Sequence, residues 1–416
     1  MGDPYEVVTG APVTTTILPI DPGRLYTSPN AIAGYYSRFR VAERLLLTGH
    51  SHQAWPDAGF AGQQQAWLDA AEFVDEKWAR AEEQASAVRG NWRRLLNDPD
   101  GDIALGQNTH ELVTRLLSAL PVAARPRILT TSGEFHTVRR QLDRLAEAGL
   151  EIQRVAAHPV DLVADRLVSA ITAGTAAVIV SSVLFETAEI VPGLDRIAAR
   201  CDREGATLLV DAYHHLNAVP FDVRAMGLER AFVTGGGYKY CQLGEGNAFL
   251  RIPPGCRLRP VLTGWFSEFA ARDEIDAGQN VAYGSGPARF AGATYDPTSH
   301  YRAVAVFDFQ QSIGLTPHVL REVSQHQVGV LQSAVEALDA PRELVEIVVP
   351  RPEARAGFLA VQSARAADLC AGLRKRGVFA DSRGSTLRLG PAPYLTDDQL
   401  RDAISRLGEV VGSLTS

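Results

Sequence analysis

Short apolar runs alternate with amphipathic segments through the middle of the chain, and this alternation limits the possible folds more than any other feature. The segments between the runs have helical spacing, as in Val138–Ala148, Asp165–Thr172 and Leu194–Glu204. Consecutive strands joined by a helix usually run parallel in one sheet. The pattern therefore predicts an α/β fold with a mostly parallel sheet. The predicted strands are Arg127–Thr131, Ile152–Ala156, Ala177–Leu184, Thr207–Val210 and Ala231–Thr234.

The pattern changes on both sides of this region. Before it, residues 61–96 have helical periodicity over one long or two consecutive helices. After about Ser299, long helical segments are followed by a few short strand candidates and a final helix, Asp397–Leu414. We therefore expect three parts: an N-terminal segment, residues 1–54, that packs on a small domain; a large α/β domain, residues 55–305; and the small α+β domain itself, residues 306–416.

Charge and composition exclude several classes of function. The chain of 416 residues has 41 Lys and Arg against 48 Asp and Glu, a formal net charge of -7, without a block of like charge. It therefore lacks the basic surface that nucleic acid or an anionic membrane would require. No apolar run approaches the roughly 20 residues of a membrane span, and the first residues do not resemble a secretory signal. Four widely spaced cysteines do not form a disulfide framework, so we expect a soluble, cytoplasmic protein.

Chemically useful side chains follow several predicted strands. Asp211 and His214 come directly after one strand, and Lys239 follows the next within a glycine-rich turn. Phe135 lies just beyond an earlier strand, and Asn108-Thr109 immediately precedes a helical run. Ligands of open α/β sheets bind beyond the carboxyl ends of the strands. The sequence thus predicts that these residues meet in one site.

Together these residues match the requirements of pyridoxal phosphate. A helix N-terminus at Asn108-Thr109 would bind the phosphate, and Phe135 would pack against the pyridine ring. Asp211 would keep the ring nitrogen protonated, and Lys239 would form a Schiff base with the aldehyde. Taken singly, each residue also has an ordinary structural explanation, because aspartates at strand ends and glycine turns are common. The specific signal is their order along successive strands.

Lysine is scarce, which narrows the choice of amine. The chain has only Lys77, Lys239 and Lys375. Lys77 belongs to the charged face of a predicted helix and Lys375 to an Arg-Lys-Arg run, both typical of solvated positions. Lys239 alone follows an apolar strand.

Several motifs resemble those of the fold-type I pyridoxal-phosphate enzymes of the class V aminotransferase group, and among these kynureninase most closely. The segment Gly237–Gly246 is similar to the family's Ser-Tyr-Lys-Tyr motif and its glycine-rich turn, and Asp211-Ala-Tyr-His214 to its Asp-x-x-His pair. Further similarity lies in Thr263–Phe266, Arg289–Thr294 and the strand Leu387–Tyr394. The likeness extends from about Leu45 to the C-terminus.

The resemblance implies roles for residues of one subunit. Lys239 would bind the cofactor covalently, and Asp211 would contact the pyridinium. Tyr238 would reach the phosphate and shuttle a proton, while His214 would lie near the phenolic oxygen or the phosphate. Arg388 would bind the α-carboxylate of an amino-acid substrate with two parallel hydrogen bonds.

The resemblance also implies a homodimer with shared active sites. Trp265 and Thr294 match residues that complete the phosphate pocket across the family's subunit interface. No metal is implied.

The chain departs from the kynureninase pattern in two places. The family's Gly-Asn-Ser-Leu-Gly turn is replaced by Gly49-His50-Ser51-His52-Gln53, which places His50 and His52 where the substrate side chain would approach. Glu134–Arg139 replaces a Phe-Pro-Ser-Asp-His-Tyr run, so the aspartate near the ring is missing. His136 resembles the ring-stacking histidine of cysteine desulfurases, although Phe135 fits that position better. His50 and His52 could also bind a metal, but no third or fourth ligand lies nearby in sequence, which disfavours a metal site.

The leading functional hypothesis is a kynureninase-like hydrolase. Such an enzyme cleaves the Cβ–Cγ bond of kynurenine, 3-hydroxykynurenine or a related γ-keto amino acid, releasing an aryl carboxylate and alanine. His50 or His52 would position the attacking water or the carbonyl. The alternatives are another lyase, a desulfurase-like enzyme or an aminotransferase acting on a specialised amino acid, and a non-enzymatic binder of the same fold. No cysteine lies where a desulfurase requires its mobile thiol.

Overall fold

The computed structural model describes residues 20–271, 280–349 and 351–415. We number the strands in chain order: β1 (Leu45–Leu46), β2 (Asp102–Gly106), β3 (Arg127–Thr131), β4 (Glu151–Val155), β5 (Thr175–Ser181), β6 (Thr207–Asp211), β7 (Phe232–Gly236), β8 (Ala248–Ile252), β9 (Glu346–Ile347), β10 (Leu359–Gln362), β11 (Val378–Phe379), β12 (Asp381–Arg383) and β13 (Thr386–Leu389).

The α-helices are numbered in the same way: α1 (Gly23–Tyr26), α2 (Asp57–Phe73), α3 (Lys77–Leu95), α4 (Thr109–Ala119), α5 (His136–Glu147), α6 (Val163–Ala170), α7 (Leu194–Glu204), α8 (Thr298–Ser312), α9 (Pro317–Glu336), α10 (Ala366–Lys375) and α11 (Asp397–Thr415). Short 3-10 helices occur at Ala33–Phe39, Val41–Glu43, Val160–Leu162, Trp265–Ala271, Gly286–Phe290 and Pro352–Ala354. No helix within the described ranges is long and apolar enough to cross a membrane.

Seven strands form the main sheet, in the order β2-β8-β7-β6-β5-β3-β4. Pairing is parallel from β7 through β6, β5 and β3 to β4, and antiparallel where β8 meets β7 and β2. The predicted α/β fold with a mostly parallel sheet is confirmed. Sequence analysis did not predict β8, because its five residues follow a glycine-rich turn and are not flanked by helices.

The central strands are buried on both faces, which explains their continuous apolar sequences. All seven residues of β5 are buried. Val178 and Val180 pack into the core on one side of the sheet, whereas Ala177 and Ile179 pack into the core on the other side. Since successive strand residues point to opposite faces, helices must cover both sides of this sheet.

The predicted helical region before the sheet consists of two helices, α2 and α3. They are separated at Val74, which has φ 51. Within α3, Trp92 is completely buried and packs against Phe249 with ring centroids 4.5 Å apart. Trp67 on α2 is 76% exposed, so this helix presents an apolar side chain to solvent in the single chain.

A second, antiparallel sheet with the order β12-β13-β10-β9 lies in the C-terminal part of the chain. The N-terminal segment joins its hydrophobic core, where Leu25, Ile32 and Tyr36 pack in one cluster with residues of α9, α10 and α11. The segment also contributes β1, which pairs in parallel with β11. Residues 1–19 of the predicted N-terminal segment lie outside the described residues.

A buried ion pair links the end of α3 to the main sheet. Arg251 on β8 donates through Nε to Asp98 Oδ2 at 2.8 Å, and its Nη1 donates to the carbonyl oxygens of Glu229 and Ala231 at 2.7 and 2.8 Å. The Arg251 and Asp98 side chains are only 2% and 7% exposed. Removing the carboxylate would leave a buried cation without its counter-charge.

We therefore expect Asp98→Ala to lower the free energy of unfolding by about 3–5 kcal/mol, measured by urea denaturation. Asp202→Ala removes a carboxylate from an exposed pair with Arg230, whose side chain is 79% exposed, and should cost less than about 1 kcal/mol. Equal effects of the two substitutions would show that burial of the Arg251 pair does not determine its contribution.

Candidate active site

The carboxyl ends of β6 and β7 bring Asp211 and Lys239 to the same edge of the main sheet. Asp211 is the last residue of β6, and Lys239 follows β7 by three residues. Lys239 is only 5% exposed. Its Nζ lies 2.7 Å from His214 Nε2, while no carboxylate in the described ranges lies within ion-pair distance of it. The site thus contains a buried amine that is hydrogen-bonded but not ion-paired.

Aromatic rings surround this amine. Lys239 Nζ lies 5.1 Å from the ring centroid of Phe135, 5.0 Å from that of Tyr213 and 5.6 Å from that of Tyr238. Phe135 is the N-cap residue of α5, directly after the loop that follows β3. Phe135 therefore lies beside the lysine.

Burial controls the protonation of the central groups. It lowers the pKa of Lys239 to about 7, with Asp211 acting in the opposite direction and Arg388 in the same direction. Burial also lowers the pKa of His214 well below its usual value and raises the pKa of Asp211. A neutral His214 accepts the hydrogen bond from Lys239 through Nε2. The lysine is therefore available as a nucleophile near neutral pH.

Glu134 is a buried carboxyl group that sequence analysis did not select. Its two oxygens accept hydrogen bonds from the Thr131 and Ser181 hydroxyls, both at 2.6 Å. Burial raises its pKa to about 7, the two hydroxyls lower it, and the charge of Asp211 raises it further. Ser181 is the register partner of Asp211 in the sheet. Glu134 therefore lies close to Asp211, a proximity that only the pairing of β5 with β6 reveals.

The antiparallel sheet places Arg388 at the site, held by two acceptors. Its Nε and Nη2 donate to the two oxygens of Asp381 at 2.9 and 2.5 Å, and its Nη1 donates to the carbonyl oxygen of Phe185 at 2.6 Å. Asp381 and Arg388 are register partners on β12 and β13. Sequence analysis missed Asp381 because it identified only the second strand of this hairpin, whose turn contains Gly384 at φ 54.

His50 is the third member of this group. Its side chain is fully buried, and its Nε2 lies 2.7 Å from Asp381 Oδ1. Burial lowers the pKa of His50 to about 4 despite the hydrogen bond with Asp381. Burial would raise the pKa of Asp381, but hydrogen bonds from His50 and Arg388 outweigh it and hold that pKa below its usual value. His50 is therefore neutral and donates to a carboxylate.

The loop around His50 fits tightly against Gly390. A Cβ atom at position 390 would lie 2.3 Å from His50 Nδ1, so this strand end accepts only glycine without displacing the imidazole. The backbone bridge between Thr48 and Gly390 brings the two segments together.

His52 faces a different environment from His50. Its side chain is 64% exposed, and its ring stacks on Tyr238 at a centroid distance of 5.0 Å. Its Nε2 lies 3.8 Å from Glu245 Oε1. Of the two predicted histidines, His52 is the one that solvent and a small molecule can reach.

Asn108 and Thr109 form the start of α4, as predicted. The Asn108 side chain accepts a hydrogen bond from the backbone N–H of Glu111 at 3.0 Å, so it acts as the helix N-cap. The free N–H groups of this first turn are suited to an anion. The Asn108 side-chain oxygen itself already accepts the hydrogen bond from Glu111.

Trp265 and Thr294 lie together. Trp265 Nε1 donates to Thr294 Oγ1 at 3.3 Å. Both line a cavity of about 1000 Å³ together with Glu111, Arg115 and His300. This cavity adjoins the start of α4, and the exposed apolar residues Val261 and Leu262 lie close to Trp265 in sequence.

Comparison with known proteins supports the resemblance seen in the motifs. Residues 320–407 match the family model for the kynureninase C-terminal domain. An uncharacterized aminotransferase, YcbU, from Bacillus subtilis (strain 168) is 22% identical over 345 residues, which are 82% of this chain and 88% of that protein. A kynureninase from Bacillus thuringiensis subsp. konkukian (strain 97-27) is 23% identical over 409 residues, 94% of this chain and 89% of that protein.

Solved structures give the same fold. A C-DES mutant with glycine covalently linked to its PLP cofactor superposes with a TM-score of 0.77 at 17% identity, covering 90% of this chain and 98% of that one. The predicted fold type and the likeness to kynureninase are therefore confirmed.

The lowered pKa of Lys239 leads to a measurable pH dependence. An amine reacts with acetic anhydride only when it is deprotonated, and the folded-state pKa of about 7 means that Lys239 becomes neutral as the pH rises through that value. In cofactor-free protein, the acetylation rate of Lys239, followed by peptide mass spectrometry, should reach half its maximum near pH 7.

An added unstructured peptide with one lysine serves as the control. Its acetylation rate should reach half its maximum at a pH of about 10.4. A Lys239 midpoint close to that of the peptide would contradict the effect of burial.

Proposed function

We propose that this chain is a pyridoxal-phosphate enzyme that acts on a free amino acid and binds its cofactor covalently through Lys239. The observation that carries the proposal is the buried Lys239 amine, hydrogen-bonded to neutral His214 and without an ion pair in the described part of the chain. Burying an unpaired cation is costly, so such an amine is favoured when it is neutral or covalently bound. A pocket of this kind fits an aldehyde cofactor.

The surrounding residues fit the rest of the cofactor. Pyridoxal phosphate, when bound, supplies an electron sink that stabilises negative charge at the Cα of an amino acid. The Asp211 carboxylate would hold a proton at the pyridine nitrogen, and Phe135 would pack against the ring. The backbone N–H groups at the start of α4 would bind the phosphate, assisted by Tyr238. Lys239 Nζ, once released by the substrate amine, would accept the Cα proton.

Arg388 has the donors needed for the substrate carboxylate. A guanidinium carries five N–H groups. Asp381 and the Phe185 carbonyl accept three of these, which leaves one hydrogen on each terminal nitrogen. Two such donors match one carboxylate.

We propose hydrolysis of the Cβ–Cγ bond of a γ-keto amino acid as the reaction, with kynurenine or 3-hydroxykynurenine as the first substrates to test. Water would add its oxygen to the γ-carbonyl carbon, the electron pair of the broken bond would remain on Cβ, and Cβ would then take up a proton. The products are an aryl carboxylate and alanine. The kynureninase C-terminal match and the full-length kynureninase relative support this reaction.

His52 is the better candidate to position the water. It is exposed and stacked on Tyr238, whereas His50 is buried and its Nε2 is bound to Asp381. We therefore assign His50 a positioning role toward Asp381, and His52 a role near the substrate side chain.

We also propose that two subunits share their active sites. Trp265 is 51% exposed and lies beside Thr294 at a cavity next to the start of α4. The support for sharing is the resemblance of Trp265 and Thr294 to residues that complete the phosphate pocket across the family's subunit interface. Exposed Val261, Leu262 and Trp67 supply apolar surface for such contact.

A second candidate reaction is a Cβ-directed lyase or aminotransferase reaction. It is favoured by the residues that replace the kynureninase pattern, namely His50, His52 and buried Glu134, and by the aminotransferase name of one relative. Sulfur transfer through a thiol is disfavoured, because burial raises the pKa of Cys241 to about 12. Cys370 is partly buried and contacts the carbonyl oxygen of Ala380.

Lysine replacement tests the cofactor assignment. Lys239→Ala should abolish the visible absorbance of the bound cofactor and reduce turnover by several orders of magnitude, because the other two lysines of the chain lie in α3 and α10. Lys77→Ala and Lys375→Ala are the matched controls and should retain wild-type absorbance. An unchanged spectrum for Lys239→Ala would refute the assignment.

Product analysis distinguishes the two reactions. Purified holoenzyme given kynurenine or 3-hydroxykynurenine should release alanine and the corresponding anthranilate-type acid in equal amounts. Release of pyruvate and ammonia from other amino acids, or transfer of the amino group to a keto acid, would instead establish the second candidate. The absence of any product from these assays would exclude both reactions on the amino acids tested.

A further inference from the structure

Arg388 is electrically neutralised by its own partner. Asp381 accepts hydrogen bonds from Arg388 through both carboxylate oxygens, and the Arg388 side chain is only 3% exposed. His50, the other group bound to Asp381, is neutral at physiological pH because burial lowers its pKa to about 4. This three-residue group therefore has no net charge. It offers a carboxylate two hydrogen bonds but little electrostatic attraction.

Arg383 supplies a second cation at the same carboxylate. It is the last residue of β12, and its Nη2 lies 3.4 Å from Asp381 Oδ2. Its Nη1 donates to the carbonyl oxygen of Ser382 at 2.8 Å. Two guanidinium groups thus share one aspartate, which leaves one positive charge uncompensated among Asp381, Arg383 and Arg388.

Arg383 lies on the same face of β12 as Asp381, because the two residues are two positions apart in the strand. It is among the cations that lower the pKa of Lys239, after the larger effects of burial and Arg388. It acts in the same direction on His136, after burial and two arginines of α5. The Arg383 side chain is 42% exposed, so a ligand can reach its guanidinium from solvent.

The carboxylate of Glu186 lies near the turn of this hairpin. Glu186 Oε1 is 3.5 Å from the position that a Cβ on Gly384 would occupy. Glu186 makes no ion pair with an arginine in the described part of the chain. Among the described residues, Glu186 is therefore not an ion-pair partner of the Arg383 guanidinium.

We infer that Arg383 is a second carboxylate-binding residue of the proposed active site, and that it provides the charge attraction while Arg388, held by Asp381, provides the orientation. The inference rests on the proposed function, since it assigns the ligand as the α-carboxylate of the amino acid. An anion approaching Arg388 alone would meet the negative charge of Asp381 at close range. Arg383, which is paired with the Asp381 carboxylate, offsets that repulsion with its own positive charge.

The test compares ligands with and without a carboxylate. Holoenzyme is titrated with L-alanine and with ethylamine, its analogue without the carboxylate, and binding is followed by the change in cofactor absorbance. Arg383→Gln should weaken L-alanine binding about tenfold to a hundredfold, as expected for loss of a charged hydrogen-bond donor. Ethylamine binding should change less than about threefold, and Arg383→Lys should restore part of the affinity for L-alanine.

Lys375→Gln is the matched control, because it removes one positive charge from an exposed helix position in the same part of the chain. It should leave both affinities unchanged. Unaltered L-alanine binding in Arg383→Gln, or an equal loss for L-alanine and ethylamine, would overturn the inference. If wild-type absorbance responds to neither L-alanine nor kynurenine, the proposed function itself fails, and the two failures are thereby distinguished.

Discussion

The burial of one amine organises the functional part of this molecule. Lys239 lies beyond β7, beside the end of β6, where parallel strands direct their carboxyl ends to one edge of the sheet. Its neighbours are aromatic rings and neutral His214 rather than a carboxylate in ion-pair contact. Because burial of this amine outweighs the opposing charge of Asp211, the neutral form is favoured and the fold itself prepares a nucleophile. The ring of Phe135 lies 5.1 Å from this amine, where it would pack against a bound pyridine ring.

The N-terminal segment and the antiparallel sheet close the other side of the site. Tyr36 donates a hydrogen bond to Gln242, in the turn after Lys239, at 2.7 Å, and Gln242 donates to Gln53 at 2.8 Å. Arg388 reaches across to the carbonyl oxygen of Phe185, which follows β5. These contacts join the two halves of the chain where the substrate carboxylate would bind. Positioning of Arg388 therefore depends on residues far apart in sequence.

Sequence patterns predicted the main sheet because its strands are apolar, buried on both faces and separated by amphipathic helices. They also predicted the residues at strand ends, since parallel topology places these at one edge. They could not reveal Glu134, whose proximity to Asp211 depends on strand pairing, or Asp381, whose contact with Arg388 depends on hairpin register. The sequence of the Gly49–Gln53 turn favoured one buried and one exposed histidine but did not indicate which of the two is buried. Only burial distinguishes His50 from His52.

Direct identification of the modified amine tests the central claim. Holoenzyme is reduced with borohydride, digested with a protease and examined by mass spectrometry. The peptide containing Lys239 should carry the mass of the reduced cofactor, while those containing Lys77 and Lys375 should be unmodified. An unmodified Lys239 peptide from protein that retains cofactor would show that another group binds it.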